Sequence, residues 1–254
     1  MSSFREQIKE KIEANRPKLS PNSLKTYVSI LFNLHKNHDT KEEDNHIDWF
    51  SDNETTILNS LQDKPSQTRK SVLSALYILT NKEEYKKQML DDCKVTNDNY
   101  KSQKMSEKEK DNWVSIEDIQ TLYDGLLAKI KLMFSGNKVV DYPTIMEFFL
   151  ISFLGGVSGL PPRRSLDYAL MKISNYDVKK DNYYKGGRFY FNQYKTQEKY
   201  GLQILDIPKE LNVLIKKWIK LNENDYLLFS SNKNHLSSSQ ITRILNKAFG
   251  GKHV

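Results

Sequence analysis

The sequence predicts a mainly α-helical protein with one small antiparallel β-sheet, an α+β class arranged as two domains. Three observations carry this reading. Through about the first hundred residues, apolar side chains recur at three- and four-residue steps, the period of a helix face. From Lys101 to Asp111 the chain is rich in Lys, Glu, Ser and Gln and nearly devoid of apolar residues, so that segment cannot bury a core. After Asn175 the pattern changes to strand formers around a glycine pair. The expected division is a helical domain over residues 1–104, a linker over 105–114 and a mixed domain over 115–254.

The elements follow in order. Ser20-Pro21 provides a cap and a first-turn proline for a helix from Asn22 to Asn37, with Leu24, Tyr27, Val28, Leu31 and Leu34 on one face. Ser51-Asp52 opens a helix holding Ile57, Leu58 and Leu61. Pro65-Ser66-Gln67-Thr68 opens a third, with Val72, Leu73, Leu76, Tyr77 and Leu79 apolar. A fourth, highly charged helix is expected from Asn81 to about Gln103. Ser115 and Asp118 form a capping box with the shorter acid, starting a helix with Ile116, Ile119, Leu122, Leu126, Leu127 and Ile130. Pro143 begins an apolar helix, Ile145 to Leu154. Gly186-Gly187 signals a turn, Arg188 to Tyr194 a strand, and Gln203 to Ile207 its partner. Pro208 opens a helix bearing Leu211, Leu214, Ile215, Trp218 and Ile219. Ser237-Ser238-Ser239 caps a last one, with Ile241, Ile244, Leu245 and Phe249 apolar.

Composition narrows the function classes. The 254 residues are 38% hydrophobic and 28% charged, which suits a folded, polar chain. No apolar run approaches the roughly 18–20 residues that cross a bilayer, and Met1 to Glu6 lacks the apolar stretch of a secretory signal. Cys93 is the single cysteine, so no intrachain disulfide can form. An intracellular protein without membrane partners is expected. The net charge of +7 favours a polyanion partner. Acidic clusters at Lys41-Glu42-Glu43-Asp44 and Asp91-Asp92 make the positive field local. No carboxylate cluster or Cys/His ligand set suggests a metal, and no small-molecule cofactor is expected. His35, His38, His46, His235 and His253 are scattered and expected to be exposed.

Two segments carry chemistry. In Gly159-Leu160-Pro161-Pro162-Arg163-Arg164-Ser165-Leu166-Asp167 a pair of arginines follows a proline break, and Asp167 lies one helical turn beyond Arg164. A planar guanidinium suits bidentate contact with phosphate oxygens, although an Arg-x-x-Asp is also a common surface ion pair. In Tyr194-Lys195-Thr196 a lysine at the end of a strand can reach a ligand or solvent. In the helical domain, Lys25 and Tyr27, and Thr68, Arg69 and Lys70, lie at helix starts, where phosphates are favoured.

In this order and spacing the motifs resemble the tyrosine recombinase family of phage-type integrases. Arg164, Asp167 and Leu170 fit its Arg-x-x-Glu/Asp-x-x-Leu helix, Lys195-Thr196 its hairpin lysine, and Ile207-Pro208-Lys209-Glu210-Leu211 its proline-led helix. Phe191 to Thr196, Tyr200 to Gln203 and Asn112 to Ser115 look like integrase-like proteins of large DNA viruses and virophages. The resemblance spans about residues 20 to 254. It implies a core-binding (SAM-like) helical domain followed by a catalytic domain, with double-stranded DNA held between them. It implies cutting and rejoining through a 3′-phosphotyrosyl intermediate, with no metal and with a homotetramer on DNA. By resemblance Arg164 clamps the phosphate, Lys195 protonates the leaving oxygen and Asp167 holds Arg164, while Arg163 and Thr196 contact DNA. The family's second-arginine box and nucleophilic tyrosine follow the helix matched by Leu236 to Phe249. They are therefore expected to be absent from a chain ending at Val254, which alone is expected not to cleave and to be monomeric in solution. A non-catalytic DNA-binding protein on the same fold and a type IB topoisomerase-like enzyme remain alternatives. A viral replication site or host nucleus is the location a viral origin implies.

Overall fold

Two separate apolar clusters organise the chain, which divides into compact units Met1–Lys104 and Met105–Val254. The computed structural model describes residues 3–38 and 40–252, and of Glu42 the backbone alone. His253, expected to be exposed, and the ends Met1-Ser2 and Val254 lie outside those residues.

The first unit is helical: α1 (Phe4–Asn15), α2 (Pro21–Lys36), α3 (Trp49–Asp52), α4 (Glu54–Leu61), α5 (Ser66–Thr80) and α6 (Glu83–Ser102). Helix α1 escaped the sequence reading, yet its signals are plain. Ser3 and Glu6 form a reciprocal capping box, and Ile8 and Ile12, one turn apart, are both fully buried. Asn81, expected to begin the fourth helix, instead ends α5 with φ of 57°. Asparagine tolerates that left-handed conformation, and the chain turns there into α6. Leu31, Phe50, Ile57, Leu73, Leu76 and Tyr85 form the centre of the core, and Tyr85 Oη donates to Phe50 O at 2.7 Å.

His35 corrects the expectation of exposed histidines. It is 3% exposed, its Nε2 lies 2.9 Å from Asp44 O and its Nδ1 3.0 Å from Thr40 Oγ1. Burial lowers its pKa, so the neutral ring is favoured.

Arg69 is also displaced from its expected role. Its Nε contacts both oxygens of Asp92, 3.1 Å from Oδ1 and 2.8 Å from Oδ2, its Nη2 bonds Oδ1, and its Nη1 donates to Gln62 O at 3.1 Å. Asp92 is 2% exposed. The guanidinium therefore ties α5 to α6 as a structural cation.

The second unit holds α7 (Glu107–Asn112), α8 (Ile116–Phe134), α9 (Tyr142–Leu154), α10 (Ser165–Ala169), α11 (Gln197–Tyr200), α12 (Lys209–Leu221) and α13 (Ser238–Ala248). Helix α7 occupies the segment expected as linker. It has no buried residue and is held by a Ser106–Glu109 capping box. Helix α9 buries Ile145, Met146, Phe148, Phe149, Leu150, Ile151 and Phe153, with Glu147 half-buried among them, and forms the centre of the core. Trp218 of α12 is fully buried and donates Nε1–H to Leu227 O at 2.9 Å.

The sheet has four strands rather than two: β1 (Met171–Lys172), β2 (Asn182–Lys185), β3 (Arg188–Phe191) and β4 (Gln203–Asp206), in that spatial order. It is mixed, because β1 pairs parallel with β2 while the other pairs are antiparallel. Gly186 and Gly187, with φ of 61° and 83°, make the two-residue turn between β2 and β3 that needs positive φ at both positions. Strand β3 stops at Phe191, short of the expected Tyr194, because a side chain captures the next two amides, as described below.

A test of the Arg69 correction compares unfolding in denaturant. Arg69→Met strands a buried carboxylate and is expected to cost about 3 kcal/mol, while Lys70→Ala stays within about 0.5 kcal/mol. Equal, small effects would return Arg69 to the surface.

Candidate functional site

The connection from α9 to α10 sets up the site. Gly159 takes φ of +76°, open to glycine without strain, and an added Cβ would reach 3.5 Å from Pro208. Pro161-Pro162 then stiffens the chain before Arg163 and Arg164, and Pro161 O accepts from Tyr168 Oη at 3.3 Å. Tyr168 is fully buried against Phe153, Phe189 and Phe191, so this peg locks α10 onto the sheet.

Asn182, 1% exposed at the start of β2, joins the pieces. Its Nδ2 donates to Asp167 O at 3.0 Å and Gln193 O at 2.8 Å. Its Oδ1 accepts from the amides of Asn192 at 2.8 Å and Gln193 at 2.6 Å. All the hydrogen-bonding capacity of one amide is used. The result fixes the start of the β3–β4 connection against α10. Asn192 adds a second tie, donating from Nδ2 to Asp181 O at 2.7 Å and Val178 O at 3.1 Å.

The connection then folds on itself. Tyr194 Oη donates to Gly201 O at 2.6 Å, and Gly201 N donates to Gln197 O at 2.8 Å. Between β3–β4 connection and α10 opens a cleft of about 540 Å³ lined by Pro162, Arg163, Arg164, Asp167, Tyr194, Thr196, Tyr200 and Gln203.

Within it the arginines exchange their expected parts. Asp167 accepts from Arg163 Nε at 3.2 Å, not from Arg164. The Arg163 guanidinium lies 4.2 Å above the Phe191 ring and 5.2 Å from that of Tyr194. Position 164 is the N-cap of α10 with extended backbone, whereas the side chain of position 163 lies over Phe191 of the sheet. Among the described residues Arg163 uses only Nε in hydrogen bonds, and Arg164 is exposed with no hydrogen-bond or ion-pair partner. Two forks of N–H donors thus remain available in one cleft. Lys195 is exposed, between two lining residues, but does not itself line the cleft. Thr196 does.

Asp167 is 4% exposed, and burial raises its pKa above the ordinary value despite the opposing pull of Arg163 and then Arg164. The desolvation of the carboxylate outweighs the ion pair.

The residues expected to touch DNA in the first unit are dispersed in character. Lys25 and Thr68 are exposed, Lys70 is half-buried, and Tyr27 packs against the core. Lys25 borders a groove of about 650 Å³ between α1 and α2 with Arg5 and Lys9, but also with Glu6 and Glu13. Among the described residues no group of three or more His, Cys, Asp or Glu could hold a metal ion, and no helix is long and apolar enough to cross a membrane.

No protein-family model and no curated protein matches the sequence. One solved structure, titled as the crystal structure of XerA recombinase, is similar over 99% of this chain and 77% of its own, at 13% identity and a TM-score of 0.34. A likeness at that level carries no inference about activity, so function rests on the cleft itself.

The raised pKa of Asp167 has a definite sign. A carboxyl group that is harder to ionise folded than unfolded adds most stability below its unfolded value, and that contribution is lost as pH rises through the folded value. Measured by denaturant unfolding, Asp167→Asn is expected to gain on the native protein as pH rises from about 3.8 upward. A native protein that instead gains on the variant over that window would mean the Arg163 pair outweighs burial.

Proposed function

We infer that the chain binds the sugar–phosphate backbone of double-stranded DNA through the Arg163–Arg164 cleft. The observation that carries this reading is a pair of neighbouring guanidinia with unused donors, one of them braced by a buried carboxylate and two aromatic rings. A braced fork loses little side-chain freedom on binding and matches two phosphate oxygens at once. The pI of about 9.1 supplies a favourable long-range field.

The finer reading is a DNA breaking–rejoining enzyme of the tyrosine recombinase type. There a tyrosine oxygen attacks phosphorus, the bond to the 5′-oxygen breaks, and the leaving oxygen takes a proton. The 3′-phosphotyrosyl bond keeps the energy needed for rejoining. Arg163 and Arg164 would stabilise charge on the non-bridging oxygens. Lys195, next in sequence to two cleft-lining residues, would be the proton donor. The attacking tyrosine is assigned to no residue of this chain. Assembly as a tetramer on DNA belongs to the same reading. A second reading, binding without cutting, is favoured by the position of Lys195 outside the cleft lining.

Fluorescence anisotropy with a fully paired duplex across a salt series tests the shared claim. Affinity is expected to fall steeply with salt. Arg164→Ala is expected to weaken binding to all sequences alike and to lower the salt slope by about one. A slope unchanged by Arg164→Ala, or affinity independent of salt, would remove the cleft from DNA binding. Strand cleavage by the chain and by its Lys195→Ala variant, compared on 5′-oxygen and 5′-thiol leaving groups, separates the two readings, and no cleavage of either substrate supports binding alone. Rescue by the thiol, which needs no proton, supports the enzyme.

A further inference from the structure

The cleft has an apolar margin that phosphate binding leaves unexplained. Tyr200, Leu202 and Ile204 are 57%, 47% and 53% exposed, and Tyr200 also lines the cleft beside both arginines. Three large apolar side chains in one short segment are uncommon on a surface that needs only to be wet. Their backbone is held firmly. Tyr200 N donates to Thr196 O at 3.2 Å, and Tyr200 O accepts from Gln203 Nε2 at 3.2 Å. Gly201 adopts φ of 63° and ψ of −156°, a region essentially closed to residues with a Cβ. The chain therefore fixes the backbone of an aromatic side chain while leaving its ring open to solvent. Lys199 Nζ, 5.1 Å from the ring centroid, adds positive charge there.

We propose that Tyr200 provides a stacking platform for an unpaired base whose flanking phosphate is held by Arg163 and Arg164. This rests on the phosphate-binding reading and extends it to a substrate class: DNA with a base out of the stack, as in a bulge, a gap or a single strand. A base needs an exposed flat ring, and every base offers a π-face, so recognition is of the unpaired state rather than of sequence. Both the ring and the guanidinia line one cleft of about 540 Å³, within the range of small-ligand sites. A fully paired duplex cannot offer a base face to Tyr200 without first unstacking it. A protein partner would cover the apolar strip equally well, but nothing in that alternative calls for two guanidinia with unused donors at its border.

The test uses the full chain and fluorescence anisotropy on two labelled DNAs of the same flanking sequence, one fully paired and one carrying a single bulged base. The native protein is expected to prefer the bulged DNA. Tyr200→Ala is expected to abolish that preference, a loss on the order of 5- to 150-fold on the bulged DNA, and to leave the paired duplex within about twofold. Tyr200→Phe keeps the ring and is expected to keep the preference. Arg164→Ala should weaken both DNAs together, which reports on the phosphate site separately. Retention of the preference by Tyr200→Ala, or a native protein that binds both DNAs equally, would overturn the proposal while leaving phosphate binding intact. Absence of binding to either DNA would overturn both. Tyr200 is exposed, so its substitution leaves the core unaltered, and unchanged circular dichroism checks this.

Discussion

The amide of Asn182 is the constraint on which the cleft depends. It bonds a carbonyl of α10 and both ends of a peptide segment leaving β3, so residues far apart in sequence meet at a fixed spacing. A net gain of about 1 kcal/mol per hydrogen bond is modest. The larger effect is what its loss would uncover, because the buried Asn192 amide without a partner would cost about 1–3 kcal/mol. No apolar residue of similar size could meet that amide. The same bonds end β3 at Phe191 and start the connection that carries Tyr194, Thr196 and Tyr200. Packing of Tyr168 and Phe189 fixes the platform, and the Asn182 amide fixes what stands on it.

Arginine serves two purposes in this chain, and neighbouring burial decides between them. Arg69 meets a carboxylate that is 2% exposed with all three of its nitrogens engaged, two on that carboxylate and one on a main-chain carbonyl, so most of its donors are used within the first unit. Arg163 meets a comparably buried carboxylate through Nε alone and rests its face on two rings, which leaves the outer edge of the fork open. A cation held from behind in this way keeps its charge directed at the cleft. Arg164 has no such brace and contributes charge with freedom to adjust. Rigid and adaptable donors side by side suit a ligand whose phosphate must be both located and accommodated.

Much of the fold was legible because helices announce themselves by period and by caps. Ser115 with Asp118 forms the capping box expected of their spacing, and Ser237 caps the last helix as expected, with Gln240 completing a box there. The sheet was harder to read. Strand β2 is only Asn182–Lys185, opens with a residue depleted in strands, and follows a charged stretch, so no alternation betrays it. Strand β1 owes its parallel pairing to tertiary contact alone. Of the residues singled out from the sequence, Arg163, Arg164, Asp167 and Thr196 line one cleft, and Lys195 does not. The internal assignments of the cleft were not legible. Sequence spacing places Asp167 equally well against an arginine three or four positions earlier, and the sheet beneath Arg163 decides the choice. Asn182 could not be found from spacing, because its partners are set by topology. The ion pair of Arg69 was hidden for the same reason, its partner Asp92 lying on the next helix.

The central claim is that the Arg163–Arg164 cleft is where phosphate meets this protein. Heteronuclear NMR of the arginine Nε–Hε and Nη–Hη groups during titration with a short paired duplex reads this directly. The account requires the Arg164 signal to shift first and that of Arg163 to shift in its outer Nη groups while its Nε bond to Asp167 persists. Unmoved signals from both arginines at saturating DNA, with shifts confined to lysines elsewhere, would contradict it.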